Sequence, residues 1–210
     1  MKLYDYPTAP NPRRVRFFIA EKGLTIPTVA VDLAKREQFA LTFRALNPCC
    51  TVPVLELDDG TAISEVPVIC RYLEDRHPDP PLVGDTAEQR AIIGMWDRRI
   101  EIDGYLAAME AVRNSLPELS GRALVGPHSY AQIPELAVRG RQRLADFMAD
   151  LDARLHNVPY IAGDTFSIAD ITAFVTLDCA RSRLKLKLPD EAIGLRAWYV
   201  RVAERPGAQA

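Results

Sequence analysis

The 210-residue chain reads as an α/β layer followed by an all-helical half. Three observations predict this. The hydrophobic pattern switches between strand and helix periods up to about residue 77, and only the helix period occurs beyond it. The cluster His77-Pro78-Asp79-Pro80-Pro81 separates the two regimes. Hydrophobic residues at 48% and charged residues at 26% are the balance of a globular chain and exclude disorder as its main state.

The elements follow in order. Lys2 to Tyr6 is short, aromatic and apolar, and Pro7 ends it, which predicts a first strand and then a loop, Thr8-Ala9-Pro10-Asn11-Pro12. Val15, Phe18 and Ile19 share a helical face with Gly23 as the stop. Val29 and Val31 alternate with small or polar neighbours, as in a second strand. Phe39, Phe43 and Leu46 form a helical stripe halted by Asn47-Pro48. Val52–Leu57 and Thr61–Ile63 flank the turn Asp58-Asp59-Gly60, a hairpin. From Val66 the period is helical again, through Ile69, Tyr72 and Leu73. The order β-α-β-α-β-β-α thus fills a first domain, residues 1–77. Residues 78–85 hold three prolines and make a stiff extended linker.

Residues 86–210 make an all-helical second domain. Thr86 to Asn114 reads as one long helix with Ile92, Ile93, Trp96 and Ile100 on a stripe. Residues 115–134 are a loop long enough to suggest a functional role. Leu144, Phe147, Met148, Leu151 and Leu155 make a regular apolar stripe. Ser167-Ile168-Ala169-Asp170 is a capping box that opens the next helix. A last helix carries Leu195, Trp198 and Val202 and stops at Pro206-Gly207.

Charge and composition narrow the function. With 26 basic and 28 acidic residues the net charge is -2, which argues against a nucleic-acid partner. No apolar run approaches the ~20 residues of a membrane helix, so no membrane partner is expected. Met1 to Asp5 lacks the apolar region of a signal peptide. Cysteines 49, 50, 70 and 179 match neither a disulfide framework nor a C-x-x-C pair, and a reducing cytoplasm is the expected compartment. Cys49 and Cys50 are adjacent and would strain any disulfide between them. His77, His128 and His156 are too dispersed for a metal site.

Four strings, in order, carry a family resemblance over essentially the whole chain. They are Pro10-Asn11-Pro12-Arg13-Arg14-Val15-Arg16, Asn47-Pro48-Cys49-Cys50-Thr51-Val52-Pro53-Val54-Leu55, Ile63-Ser64-Glu65-Val66, and Ala162-Gly163-Asp164 to Ile171. The chain resembles the cytosolic glutathione S-transferases, nearest to the bacterial and fungal ones that lack an ordinary catalytic Ser, Tyr or Cys. The resemblance implies a thioredoxin-like first domain, glutathione as co-substrate, a small and mostly apolar electrophile as second substrate, no metal, and a homodimer. Conjugation of the glutathione thiolate is the implied reaction. A glutathione-dependent peroxidase, dehalogenase or isomerase is an alternative, and so is a non-enzymatic binding protein on the same fold.

The resemblance also implies roles for particular residues. Val52, before a cis Pro53, would pair its N–H and C=O with the cysteinyl part of glutathione, as strands pair. Glu65, at the strand-to-helix junction, would cap the helix and bind the γ-glutamyl amine, and the Val66 N–H would take its carboxylate. The family usually has Ser at that position, so one hydroxyl donor is missing, about 0.5–1.5 kcal/mol. Arg13, Gln38 and Lys35 are candidates by position for the glycyl carboxylate, and Thr51 stands where relatives often carry Lys, Arg or Gln. The thiol must ionise, and moving its pKa from about 8.5 to the mid-6 range needs about 2.7 kcal/mol. Counting back from Arg14-Val15, the usual activating position is Ala9, which cannot donate. Asn11 and Thr8 are the catalytic candidates, beside a backbone N–H or a held water. Tyr105, Met109, Arg113 and Asn114 would line the second-substrate site, and Asn114, Ser115 and His128 are the groups that could hold a water.

Overall fold

The computed structural model describes all 210 residues. Strands β1 (Lys2–Asp5), β2 (Thr28–Ala30), β3 (Val54–Glu56) and β4 (Ala62–Ser64) form one sheet of order β2-β1-β3-β4. β1 runs parallel to β2 and antiparallel to β3, and β3 and β4 form the hairpin. The register sets Leu3 opposite Leu55 and Tyr4 opposite Val54, so the pleat sends them to opposite faces. On one face Leu3 and Leu55 are fully buried with Val15 and Phe18 of α1 (Pro10–Glu21) and Ile69 and Leu73 of α3 (Val66–Arg76). On the other, Val54 packs with Val31, Phe43 and Val52, closed by Tyr4 and by the short helix α2 (Leu41–Leu46). The helix expected through Phe39 is shorter because Ala40 is extended. Glu37–Phe39 forms a separate 3₁₀ turn.

The second half holds α4 (Ala87–Arg99), α5 (Leu106–Ser115), α6 (Pro134–Leu155), α7 (Ile168–Leu184) and α8 (Ile193–Ala203). No sheet strand follows Ser64. α7 is buried on nearly every side from Ile168 to Leu177, as a central helix must be. The single helix expected over 86–114 is one continuous rod with a π-helical stretch at Ile100–Tyr105. A Cβ on Gly104 would fall 2.5 Å from the Phe147 ring, so only glycine lets α6 approach the π stretch. Ile93 and Ile100 of the expected stripe are buried, whereas Ile92 is exposed.

Two polar clusters fix the arrangement. Lys22, at the end of α1, pairs with Glu74 of α3 at 2.5 Å and donates to the carbonyls of Pro78 and Pro80. Glu74 also accepts the Val83 N–H at 3.2 Å. The segment between α3 and α4 is therefore tied to the first layer by its own carbonyls. Asp170 is fully buried and accepts four bonds: from the Ile161 N–H, the Ser167 N–H and hydroxyl, and the Trp198 indole at 2.8 Å.

Burial is the largest influence on the Asp170 carboxyl and raises its pKa to about 6, against the opposing hydrogen bonds. The folded state therefore holds a proton between about pH 6 and pH 4 that the unfolded chain does not. Its stability contribution is present at low pH and is lost as pH rises through about 6. Asp170→Asn removes one acceptor and sets an amide against the Ser167 N–H, and it should lower stability by about 1–3 kcal/mol at pH 7.5. By the same sign the gap between wild type and Asp170→Asn should widen at pH 5. Urea melts at the two pH values measure both, and a gap that narrows contradicts the assignment.

Candidate active site

A cleft of about 500 Å³ lies between the first layer and the helical half. The loop before α1, the Arg36–Phe39 turn and the Cys50–Val52 segment form one wall. The π stretch, α5, the 116–126 segment and the end of α7 form the other. Among the residues singled out from sequence, the cleft gathers Thr8, Asn11, Gln38, Val52, Tyr105, Met109 and Arg113.

The start of α1 concentrates its donors on one residue. A helix leaves its first N–H groups without partners. Here Pro10 and Pro12 have no N–H, and the Ala9 N–H is spent on the Tyr6 carbonyl at 3.0 Å. Arg13 N–H closes on the Ala9 carbonyl at 3.2 Å. Asn11 alone keeps a free main-chain N–H in this turn. Its side-chain oxygen accepts from the buried Arg14 guanidinium at 3.3 Å, which leaves its amide Nδ2 as a second free donor. Ala9 sits extended at the cap and its side chain makes no bond there. The Thr8 hydroxyl is exposed and has no protein partner.

The wall formed by the first layer supplies an unpaired peptide. The Val52–Pro53 bond is cis, as the sequence reading expected. Neither the N–H nor the C=O of Val52 bonds to the protein, although the residue is only 8% exposed. Gln38 is buried and its side-chain oxygen has no partner. Thr51 receives the Asn47 amide at 3.1 Å.

Glu65 differs from the expectation of a cap. Its carboxylate is exposed and caps nothing, and its backbone lies at φ 71°, a region that is strained for a residue with a side chain. Its carbonyl starts α3 by accepting from Val68 and Ile69. The Val66 N–H is left free at the head of that helix.

On the helical wall, Tyr105 ends the π stretch, and the Arg14 guanidinium lies 5.3 Å from its ring centre. Burial above all pushes the Tyr105 phenol well above its usual range, so it is a neutral O–H donor at any working pH. Burial, followed by the nearby Arg122 charge, depresses the pKa of Arg113. Arg113 donates to the carbonyls of Arg122 and Leu124, which holds the 122–124 segment over the cleft.

Four expectations are corrected. Arg13 faces α7 instead of the cleft, ion-paired with Asp178 and donating to the Ala208 carbonyl at 3.2 Å. Lys35 is exposed and pairs with Asp32 at 3.3 Å. Asn114 is buried below the cleft, and its amide is spent on the Glu110 carbonyl and the Ile133 N–H, both at 2.9 Å. Ser115 and His128 are exposed and lie outside the lining. Arg36, Phe39, Arg122, Cys179 and Arg183 also line the cleft, and no motif in the sequence marks them as site residues. Only the length of the 115–134 loop signalled Arg122.

Comparisons with known proteins agree with this architecture. Residues 8–76 match the family model described as glutathione S-transferase, N-terminal domain, and residues 99–201 match its C-terminal domain. Glutathione S-transferase 2 of Saccharomyces cerevisiae is 37% identical over 212 residues, covering 100% of this chain and 88% of the yeast protein. The crystal structure of Gtt2 from Saccharomyces cerevisiae superposes with a TM-score of 0.90 at 36% identity, covering 100% of this chain and 99% of that one. A glutathione S-transferase domain-containing protein of Marinobacter aquaeolei gives 0.89 at 38% identity, with 99% of both chains covered. With its thioredoxin-like layer, its helical half and its full-length kinship to the yeast enzyme, the chain belongs to the glutathione S-transferase family.

Proposed function

We propose that the cleft binds glutathione along Val52 and activates its thiol at Asn11 for attack on an electrophile held by the helical wall. The carrying observation is that one cleft is lined both by the unpaired Val52 peptide and by the only residue of the α1 start that keeps free donors. The cysteinyl backbone would pair with Val52 as one strand pairs with another. The γ-glutamyl amine goes to the exposed Glu65 carboxylate and its carboxylate to the Val66 N–H. The glycyl carboxylate goes to the Gln38 amide and Arg36. Residues 1–77 would then form the glutathione domain, 78–85 the linker and 86–210 the domain for the second substrate.

Ionising the thiol requires about 2.7 kcal/mol. The dipole at the start of α1 contributes about 0.3–2 kcal/mol, and one charge-assisted bond from Asn11 about 1.5–3 kcal/mol. Together they suffice without a hydroxyl at Ala9. Tyr105, as a neutral donor, suits a polar group that gains charge on the electrophile. We further read the protein as a cytoplasmic homodimer in detoxification. Four free thiols suit a reducing compartment. The exposed stripe Ile92, Met95, Ile102 and Leu106 suits burial against a second copy, and light scattering of the purified chain measures that mass.

The basic test is turnover of 1-chloro-2,4-dinitrobenzene that saturates with glutathione. Its absence, together with no calorimetric binding of glutathione, overturns the reading. Asn11→Ala should lower kcat about 10–150-fold, the loss of ~1.5–3 kcal/mol. It should also move the acidic limb of the pH profile upward, because a lost donor raises the thiol pKa. Thr8→Val should cost less than about tenfold. If Thr8→Val abolishes turnover while Asn11→Ala changes neither rate nor pH profile, Thr8 is the activating residue.

Glu65 separates binding from folding. Glu65→Ala should weaken glutathione binding by about 1.5–3 kcal/mol. Glu65→Gly should weaken it equally without lowering the thermal midpoint, since glycine accepts the positive φ. Equal affinity in all three proteins by calorimetry would remove Glu65 from the site.

A further inference from the structure

Arg36, Arg113, Arg122 and Arg183 line one cleft, and none lies within 4.0 Å of a carboxylate. Elsewhere the chain pairs its arginines readily: Arg13 with Asp178, Arg16 with Asp5, Arg139 with Glu110 and Arg205 with Glu21. The only carboxylate on the cleft lining, Glu118, is exposed and forms no ion pair. The cleft therefore holds a surplus of positive charge that the fold leaves uncompensated.

This surplus is built in. Arg113 uses its guanidinium to bond the Arg122 and Leu124 carbonyls, so it fixes the segment that carries a second cation. Arg113 is partly buried, its Nε has no partner, and the Arg122 charge opposes its own. Arg122 stacks its guanidinium 4.5 Å from the Phe39 ring centre and donates to no protein acceptor, so its N–H groups stay free. Holding like charges together costs free energy unless an anion joins them. The carboxylates of glutathione are already provided for, one at the α3 start and one at Gln38 and Arg36. Arg113, Arg122 and Arg183 are left over, and they stand beside the apolar surface of Tyr105, Met109 and Val112.

We propose that the electrophile taken by this cleft is an anion, a carboxylate on an apolar body, bound by Arg122 with Arg113 and Arg183. This rests on the conjugation reading above, and it replaces the mostly apolar electrophile that the family resemblance implies.

The test compares a matched pair, 4-chloro-3-nitrobenzoate and its neutral amide. Each rate is divided by the uncatalysed rate with glutathione. The carboxylate should have the higher normalised kcat/KM by at least about fivefold at low salt, and the advantage should shrink as ionic strength rises. Arg122→Gln and Arg183→Gln should each pull the ratio toward one while the Kd of free glutathione stays within about twofold, because its carboxylates go to the α3 start, Gln38 and Arg36 and lose only a screened long-range attraction. A ratio of one or below in an active enzyme overturns the proposal and leaves conjugation intact. A proportional rise in glutathione Kd in Arg122→Gln also overturns it, by assigning Arg122 to the glycyl carboxylate.

Calorimetry with the two conjugates, S-(4-carboxy-2-nitrophenyl)glutathione and its carbamoyl analogue, reads the same preference without turnover. Tighter binding of the carboxylate conjugate supports the proposal and equal binding overturns it. Failure to bind glutathione or either conjugate overturns the conjugation reading, and the proposal with it.

Discussion

The buried guanidinium of Arg14 is the constraint on which both the fold and the cleft depend. It is 1% exposed and lies between α1 and three elements of the helical half. It donates to Thr172 of α7 at 3.0 Å, and Thr172 donates in turn to Asp97 of α4 at 2.5 Å. Asp97 and Glu101 stand 3.9 and 3.8 Å from its nitrogens. Burial raises the pKa of Asp97, and the Arg14 charge opposes that rise. A buried charge is tolerated only when it is paired, and although the Arg14 Nε has no partner, both of its terminal nitrogens are engaged. Arg14 therefore requires the α/β layer and the helical half to dock in one way. The same guanidinium holds the Asn11 oxygen and faces the Tyr105 ring. The bond that docks the two halves thus also orients two walls of the cleft.

The remaining contacts between the halves repeat this logic at the rim. Glu21 accepts two bonds from Arg205 and one from the Gly207 N–H, so the chain end is pinned to α1. A Cβ on Gly207 would fall 2.0 Å from the Phe17 ring, and only glycine permits that seat. Arg13 and Tyr199 converge on Asp178, and although burial pushes that carboxyl up, these hydrogen bonds hold it below its usual range. Charges between the halves are paired, while charges in the cleft are not. That contrast separates cations that hold the fold together from cations free to meet a ligand.

Backbone strain falls in the same places. Arg36, Cys50 and Glu65 are three of the four non-glycine residues at positive φ. Arg36 and Cys50 line the cleft, and Glu65 precedes the free N–H of α3. Strain of this kind persists only where the surroundings enforce it, and it gathers where a ligand needs a group aimed against backbone preference. The π stretch is the helical counterpart, placing Tyr105 at its end and on the cleft.

The sequence by itself determined the order of elements, the absence of strands beyond the proline cluster, the Ser167–Asp170 cap and the proline before β3. Each depends on local periodicity, on proline geometry or on capping chemistry, which act over a few residues. It also pointed to Ala9 as a missing donor and to Asn11 and Val52 as cleft residues, because strings at or beside them carry a family pattern, and to Gln38 by position alone. The tertiary structure alone decided the rest. No periodicity distinguishes Arg13, spent on Asp178, from Arg14, buried beneath the cleft, or either from Arg122, which is free above it. Asn114 looked like a cleft residue until its amide was committed to Glu110 and Ile133. The π stretch is invisible because Phe147, which forces a glycine at 104, lies in another helix. What an arginine or an amide does depends on partners more than a hundred residues away or on another element, and such pairings exist only once the chain has folded.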